Sequence, residues 1–461
     1  MAELREPEAK RDQDAPAELS EELIREVEQA LRADATERVL DVLDDLHVAD
    51  QADMLEKLPA EDREAMVEIL KDDLDPELLT HLHEHVRADV LEQLGPAQAA
   101  AAIAELDTDD AIDVLSYLGD EDQMRLLGSM PASERAMLEQ GLAFPEDSAG
   151  RLMQRQVVAI PEFWTVGQTI DYLRAKAELP DEFYDIYIIN PRFEPVGSIP
   201  LSKVLRSRRE VLLHQLKLKE LRLIPAEMDQ EEVAFLFRQY GLVSAPVIDD
   251  RDRLIGVITV DDVVDVLEEE AEEDFLALGG APDSDIFASP LQTGRKRFPW
   301  LLLNLGTATL AALVIAQFEG AIEELVLLAI LMPVVAALGG NAAMQAVTVT
   351  VRALAMRQIT RANTLRVLGR ELLVGSLNGA GLFVASALLV LVWLGHAGLG
   401  VVFGCGILLT LLVAALVGVG VPILLDRMGI DPAVGSSVLA LTVTDMFAFL
   451  SFLGLASIYL L

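Results

Sequence analysis

The chain has 461 residues, 52% of them hydrophobic, and a formal net charge of -39 at pH 7. The charge is unevenly divided, since residues 295–461 hold nine basic and seven acidic residues whereas the first 294 hold 27 and 68. An acidic surface repels phosphates, which excludes nucleic acid as a partner, and it favours cations. The length predicts several domains: an acidic soluble part followed by a nearly neutral, apolar part.

The N-terminal stretch at 1–20 is a charged lead without the apolar core of a signal peptide. This composition predicts that the acidic half stays in the cytoplasm. The single cysteine, Cys405, lies in an apolar stretch, so the chain has no disulfide framework.

Residues 21–145 repeat a short helical theme, seen in ADMLEKL, ADVLEQL, IDVLSYL and MRLLGSM, with PAED, DTDD and GDED between the copies. The pattern predicts an acidic, all-α superhelical domain of short helices. Within it, Asp109 or Asp110 stands one turn before Asp113, and Glu77 follows Asp75 and a proline. These acids are open to two interpretations, as helix caps on solvated faces or as cation ligands.

Residues 146–268 contain an internal duplication. IINPRFEPVGSIPLSKVL, beginning at Ile188, matches VIDDRDRLIGVITVDDVV, beginning at Val247, and Gly197 corresponds to Gly256 at an offset of 59. Each copy predicts strand, turn, strand and helix, with a further helix earlier. This pattern resembles a tandem pair of CBS domains, an α/β regulatory module that often binds adenine nucleotides. The sequence leaves nucleotide binding open.

An acidic segment, VDDVVDVLEEEAEED, follows the second copy at 260–274. Asp262, Asp265, Glu269 and Glu273 recur at three- and four-residue steps, which places like charges on one helical face where they repel. The segment is either a solvated face or a stripe that divalent cations bridge. It continues into a predicted connecting helix at 269–294.

Charge-free runs in residues 295–461 predict five membrane-spanning helices: Phe298–Phe318, Leu325–Val351, two spans within Leu372–Leu425 that turn at 395–400, and Pro432–Leu461. Basic residues cluster before the first span and between the second and third spans. Their placement predicts a multi-pass protein of the plasma (inner) membrane with a cytoplasmic N-terminus and an external C-terminus.

Polar residues within two of these spans suggest an ion path. Asp445 is the only ionisable residue of the last span, and a carboxylate at mid-membrane costs at least about 2.5 kcal/mol. In the second span, Asn341 and Gln345 put two amides on one helical face next to Gly339 and Gly340. Carboxylate, hydroxyl and carbonyl oxygens are ligands that Mg²⁺ and Ca²⁺ prefer. The alternative is helix packing by a protonated aspartate and by amide hydrogen bonds.

The order of these parts resembles the MgtE family of magnesium channels. The most specific segments are GGNAAMQ at 339–345, GIDPAVGSSVLALTVTD at 429–445, and the acidic segment at 260–274. The resemblance implies a homodimer in the lipid membrane, with a pore on its two-fold axis lined by the second and fifth spans. It also implies that Mg²⁺ is both substrate and regulator.

The resemblance assigns roles residue by residue. In the pore, Asp445 would hold hydrated Mg²⁺ with its symmetry mate, the Leu441 carbonyl would join it, and Asn341 would line the pore. The implied cytosolic sensing residues are Glu77, Asp109, Asp113, Asp262, Asp265, Glu270, Glu273 and Asp274. Two positions depart from the family pattern: Gly241 stands where a carboxylate is expected, and Met344 where a small or polar residue is usual.

Two other functions remain open from the sequence. The apolar half is also consistent with a passive anchor for an energy-sensing CBS module, or with a carrier coupled to protons or sodium. Enzymatic activity is not expected, because the chain has no phosphate loop or nucleophile elbow.

Overall fold

The computed structural model describes residues 19–176, 179–180, 183–218, 220–281 and 290–460. Most of the predicted charged lead at 1–20 and residues 282–289 of the predicted connecting helix lie outside these ranges. The chain divides into two compact units, Met1–Leu267 and Glu268–Leu461.

The first unit begins with short amphipathic helices. They are α1 (Glu21–Arg32), α2 (Thr36–Asp44), α3 (Val48–Lys57), α4 (Ala60–Leu70), a 3-10 turn (Pro76–Leu79), α5 (Glu84–Leu94), α6 (Pro96–Glu105), α7 (Thr108–Ser116), α8 (Asp120–Ser129) and α9 (Ala132–Leu142). Their apolar faces form one continuous core that includes Val39, Leu55, Leu79 and Ile112. The repeated theme therefore folds as predicted, because each helix is too short to be stable without neighbours that cover its apolar face.

The unit continues with two α/β repeats. The first packs β1 (Ala159–Pro161), α11 (Val166–Ala175), β2 (Asp185–Ile189), β3 (Pro195–Pro200), α12 (Leu201–Leu205) and α13 (Leu213–Leu216) around one core. The second packs α10 (Ala149–Leu152), β4 (Ile224–Pro225), α14 (Gln230–Tyr240), β5 (Ser244–Ile248), β6 (Leu254–Thr259) and α15 (Val260–Gly279) around another. The short helix that precedes each repeat in the chain therefore lies in the core of the other repeat.

The two three-stranded sheets have the same topology and register. In each sheet the first strand pairs parallel with the second, and the second pairs antiparallel with the third. Ile188 pairs with Gly197 in one sheet and Val247 with Gly256 in the other, and each register shifts at the next residue. The duplication predicted from the offset of 59 is thereby confirmed.

Among its described residues, the second unit contains five helices long and apolar enough to cross a membrane, as predicted. They are α16 (Pro290–Ala316), α18 (Leu327–Ala355), α19 (Thr364–Leu394), α20 (Ala397–Arg427) and α21 (Pro432–Tyr459), and a short helix, α17 (Glu319–Glu324), follows the first of them. The turn predicted at 395–400 consists of Gly395, at φ 72°, and His396. Several helices extend past the charge-free runs because arginines at the ends remain helical.

Helix α18 continues through Pro333 and the Gly339–Gly340 pair without a break. A glycine pair can break a helix or let another helix approach closely, and in this structure it does the second. Side chains from α18, α20 and α21 form the core of the bundle, including Val335, Phe403 and Phe452.

Candidate cation sites

The glycine pair of α18 brings α18 and α21 into contact at mid-span. A Cβ at Gly339 would lie 2.9 Å from Cγ2 of Thr444 and 2.4 Å from Cγ2 of Thr410, and one at Gly340 would lie 3.2 Å from Cδ2 of Leu441. Only glycine permits this approach. Leu441 and Asn341, both predicted in the pore, are therefore carried by two helices that pack together at this level.

Asp445 lies one turn after Leu441 on α21 and is half-buried. Its neighbours Thr442 and Thr444 donate hydrogen bonds to backbone carbonyls of their own helix, at 2.6 and 2.7 Å. Within the described residues, Asp445 makes no hydrogen bond or ion pair with another side chain. The packing alternative would require a hydrogen bond from this carboxyl group to a neighbouring helix, and none is present among the described residues.

One face of α18 is uncovered along its length. Ile330, Val334, Asn341, Gln345 and Thr348 are all exposed on this face, at helical spacing. Neither amide has a hydrogen-bond partner in the described part of the chain. Amides facing hydrocarbon would be costly, so this face requires water or another polypeptide.

In the first unit, three aspartates form an acidic group where α7 meets the start of α15. Asp109 is 6% exposed, and neither of its carboxylate oxygens has a hydrogen-bond partner among the described residues. Burial raises its pKa well above the ordinary value, and the charges of Asp262 and Asp110 raise it further. Burial, followed by the charge of Asp262, raises the pKa of Asp110 to about 7.

Asp262 is held in place by the turn that begins α15. Its Oδ2 accepts hydrogen bonds from the Thr259 hydroxyl at 2.8 Å and from the Thr259 N–H at 3.3 Å, half of the reciprocal pattern of a capping box. Burial raises the pKa of Asp262 to about 6, although the bonds from Thr259 oppose this shift. The acidic group is thus a fixed concentration of negative charge that protons or a cation can neutralise.

Two other predicted sensing residues are placed differently. Asp113 is ion-paired with Arg87, whose Nη1 lies 2.8 Å from Oδ2 of Asp113, and Arg87 is 7% exposed. Glu77 lies exposed in the 3-10 turn, where its N–H donates to the Asp75 carboxylate at 3.1 Å. The structure brings Asp109, Asp110 and Asp262 together, and it does not bring Glu77 into that group.

The remaining predicted acids lie along α15. Asp265, in the first unit, and Glu273, in the second, are exposed, whereas Glu270 and Asp274, also in the second unit, are half-buried. Burial raises the pKa of Asp274, and the charges of Asp431 and Glu273 add to the shift. Asp431, which precedes α21, is a neighbour that sequence spacing could not reveal.

The described residues contain no group of three or more His, Cys, Asp or Glu side chains placed to hold a metal ion. The acidic group of Asp109, Asp110 and Asp262 is a concentration of negative charge and not a formed ligand set.

The two CBS-like repeats meet at a polar cleft. The Tyr187 hydroxyl lies 2.7 Å from the Ser244 hydroxyl, which donates to the Asp185 carboxylate at 2.9 Å. Burial raises the pKa of Asp185 and of Tyr187. The cavity here, lined also by Phe183 and Thr259, has a volume of about 20 Å³, enough for about one water molecule. Sequence analysis missed this triad because none of its residues belongs to a recognised motif.

Gly241 and Met344, the two positions that depart from the family pattern, both lie in helices or at helix ends. Gly241 ends α14 with a left-handed backbone, at φ 61° and ψ 44°, which favours glycine over a carboxylate residue. Met344 is half-buried on α18, and its carbonyl accepts a hydrogen bond from the Thr348 hydroxyl at 2.9 Å.

Three family models match the chain: a divalent cation transporter model, MgtE, at residues 332–455, the MgtE intracellular N domain at 46–147, and the CBS domain at 216–269. The magnesium transporter MgtE of Thermus thermophilus is 32% identical over 450 residues, which cover 96% of this chain and 99% of that protein. The one of Bacillus subtilis is 30% identical over 420 residues, covering 91% and 93%. A crystal structure of the cytosolic domain of the Mg²⁺ channel MgtE in complex with ATP has 29% identity and a TM-score of 0.49, and the match covers 53% of this chain and 99% of that one.

Proposed function

This chain belongs to the MgtE family of magnesium transporters, and from this membership we propose that it conducts hydrated Mg²⁺ along a path lined by α18 and α21. It is a multi-pass membrane protein whose other half is an acidic regulatory part of MgtE N-domain and CBS type. The proposal concerns the residues that bind the ion, the assembly and the control of flux.

The observation that carries the proposal is the half-buried carboxylate of Asp445 in the middle of α21, which has no side-chain partner in the described part of the chain. An acid there is costly unless it has a function or a partner. Mg²⁺ dehydrates reluctantly, so a carboxylate can hold it through its water shell. The Leu441 carbonyl and the Asn341 amide then complete a polar wall around the hydrated ion.

We propose a homodimer in which two copies of Asp445 face the same ion. The uncovered face of α18 supports this assembly, because Asn341, Gln345 and Thr348 would contact pore water or the partner chain instead of lipid. The interface is isologous, so each subunit contributes the same residues to the path.

Cytosolic Mg²⁺ would regulate flux through the acidic residues of the first unit and of α15. The unpartnered, buried oxygens of Asp109 fit a cation, because they lack the hydrogen bonds that a buried carboxylate otherwise needs. Bound Mg²⁺ would offset the repulsion among Asp109, Asp110 and Asp262. We extend the proposal to the predicted sensing residues that lie outside this group of three aspartates: Glu77, Asp113, Asp265, Glu270, Glu273 and Asp274.

Regulation requires that Mg²⁺ bind the closed state more tightly than the open state. At low cytosolic Mg²⁺ the acidic surfaces repel and the path opens, and at high Mg²⁺ the bridged surfaces close it. The arginines that flank the spans predict that this half lies in the cytoplasm. With five spans, the C-terminus then lies outside.

We also propose that the cleft between the CBS repeats binds an adenine nucleotide. Asp185, Tyr187 and Ser244 offer hydroxyl and carboxylate groups of the kind that bind ribose and base edges. The cavity is too small for a nucleotide as it stands, so binding would require the repeats to separate.

Magnesium uptake into dye-loaded proteoliposomes tests the proposal. Asp445→Asn keeps the size of the side chain and removes its charge, and we expect it to lower selective Mg²⁺ flux by at least about tenfold, which corresponds to about 1.4 kcal/mol. Asp426→Asn is the matched control, since it removes a charge from the exposed end of α20. It should conduct like the wild type.

The other outcomes assign other functions. Equal flux through the wild type and Asp445→Asn would show that this carboxylate serves packing. No flux in any variant, with the cytosolic face free of Mg²⁺, would favour a membrane-anchored CBS regulator. Flux that requires a proton or sodium gradient would identify a coupled carrier.

A further inference from the structure

One end of the second unit carries a dense group of arginines. Residues 352–371 contain five arginines and one acid, Glu371, and Arg427 ends α20. Arg427 Nη2 donates to the Thr364 hydroxyl at 3.4 Å, which links the end of α20 to the start of α19. The last turn of α18, the first turns of α19 and the last turn of α20 therefore present their arginines at the same end of the bundle.

Among the described residues, most of these guanidinium groups have no ion-pair partner. In the described part of the chain, Arg352, Arg361, Arg366 and Arg370 are exposed and make no ion pair or side-chain hydrogen bond. Arg366 and Arg370 lie four residues apart on α19, so their charges repel on one helical face. The acids at this end include Glu371, Asp426 and Asp431, and Glu273 and Asp274 of α15 lie near Asp431. Among the described residues, none of these acids is ion-paired with the four arginines.

The spacing along three helices puts the arginines at one depth. Arg352 follows the exposed Val349 by three residues, Arg370 precedes the exposed Leu373 by three, and Arg427 follows the exposed Leu424 by three. Three residues of helix rise about 4.5 Å. The polar headgroup layer of a bilayer is roughly 5–7 Å thick on each side of the hydrocarbon. The guanidinium groups therefore reach the level of the lipid phosphates.

Exposed apolar side chains alternate with the arginines. Leu365 is 82% exposed beside Arg366, and Met428 and Ile430 are exposed directly after Arg427. Exposed apolar side chains would not contribute to a site for a soluble phosphate. The boundary between headgroups and acyl chains accommodates both arginines and apolar residues.

From this geometry we propose that Arg352, Arg361, Arg366, Arg370 and Arg427 form a binding site for the headgroup of an anionic phospholipid. Guanidinium groups bind phosphate oxygens through paired N–H donors, and a lipid without a headgroup amine supplies uncompensated negative charge. The inference requires only that the five helices span a bilayer and is independent of magnesium transport.

Native mass spectrometry of the full chain tests the site. The protein is extracted from liposomes of equal phosphatidylglycerol and phosphatidylcholine, and retained lipid is counted. We expect the wild type to retain phosphatidylglycerol preferentially. Arg366→Gln with Arg370→Gln should weaken that retention by roughly 25-fold, since each basic residue near the membrane surface contributes about fivefold.

Two further variants control the test. Arg206→Gln with Arg208→Gln removes the same charge from exposed positions of the first unit and should retain lipid like the wild type. Arg366→Lys with Arg370→Lys keeps the charge and should stay within about threefold of the wild type. It keeps the test decisive if the glutamine variant fails to fold.

Three results would overturn the proposal. The first is unchanged phosphatidylglycerol retention in a folded Arg366→Gln, Arg370→Gln variant. The second is loss of retention in a folded lysine variant. The third is displacement of the lipid by millimolar inorganic phosphate or glycerol 3-phosphate, which would identify a site for a soluble phosphate.

Discussion

Asp109 and Asp113 lie one turn apart on α7 in opposite electrostatic surroundings. The Asp109 carboxylate is buried among like charges without a hydrogen-bond partner, whereas Asp113 is ion-paired with the buried Arg87. Neutralising the first relieves repulsion and desolvation, and neutralising the second leaves a buried guanidinium group with fewer partners.

We therefore expect opposite signs from the two substitutions in Mg²⁺-free buffer. Asp109→Asn should stabilise the protein by about 1 kcal/mol or more, and Asp113→Asn should destabilise it by about 1 kcal/mol. Thermal unfolding of the full chain in EDTA at pH 8 measures both. The same sign for both would contradict the separate roles assigned to these aspartates.

The acidic group also predicts a dependence of stability on pH. Because the folded-state pKa values of Asp110 and Asp262, about 7 and about 6, lie above the ordinary 3.8, folding is penalised above them. The penalty falls as pH decreases through this range and is absent below the unfolded-state value.

In EDTA, lowering the pH from 8 to 5.5 should thus raise the unfolding temperature by roughly 2–5 °C. Saturating Mg²⁺ should flatten the profile by neutralising the same charges, and Asp110→Asn should reduce its slope. An unfolding temperature that falls continuously toward pH 5.5 would contradict the raised pKa values.

The sequence could not predict which charged side chains of the site contact one another. The acidic residues of α7 and α15 were recognisable from spacing, but Arg87 is 26 residues from Asp113 and lies on another helix. Spacing reveals which residues share a helical face, and only tertiary packing decides which charge meets which. Asp109 and Asp113 illustrate this, since they lie one turn apart in the sequence pattern and differ in their surroundings.

At the level of helices, glycines set the distances in the bundle. A Cβ at Gly418 of α20 would lie 2.5 Å from the Ala346 Cβ and 2.9 Å from the Ala343 carbonyl oxygen of α18, whereas Gly420 has nothing within 4 Å. These two glycines provide a matched pair on one helix. Neither has a positive φ, so only the surrounding space differs.

Gly418→Ala should separate α18 from α20 and destabilise the detergent-solubilised protein by about 1–3 kcal/mol. Gly420→Ala should be neutral or slightly stabilising, since alanine is the better helix former. Thermal unfolding followed by size-exclusion chromatography measures the two variants side by side. Equal losses would show that helix spacing is not set at Gly418.

The sequence predicted that the spanning helices exist, but it did not predict the residues at which they begin and end. Charge-free runs located all five spans because the cost of charge in hydrocarbon leaves a strong compositional signal. The bounds differ because arginines are accommodated at helix ends, as Arg352 is in the last turn of α18. The same helix continues through Pro333. In a tightly packed bundle, neighbouring helices offset the missing hydrogen bond.

For the whole molecule, the sequence predicted the class and the order of parts. The duplication predicted two equivalent sheets. The structure confirms them, and both sheets have a register shift at the same position. What the duplication did not reveal is that the two copies meet at equivalent positions, since contacts between repeats are not encoded in either repeat alone.

At the contact between the two repeats, equivalent positions carry different residues. Asp185 pairs with Pro200 in one sheet as Ser244 pairs with Thr259 in the other, so the aspartate and the serine occupy the same position of their repeats. Two aspartates there would repel, and two serines would hold no charge, whereas one of each makes a hydrogen bond of 2.9 Å. The first repeat is thereby complementary to the second and not to a copy of itself. Two modules of the same fold can in this way be matched within a chain by a position at which their residues differ.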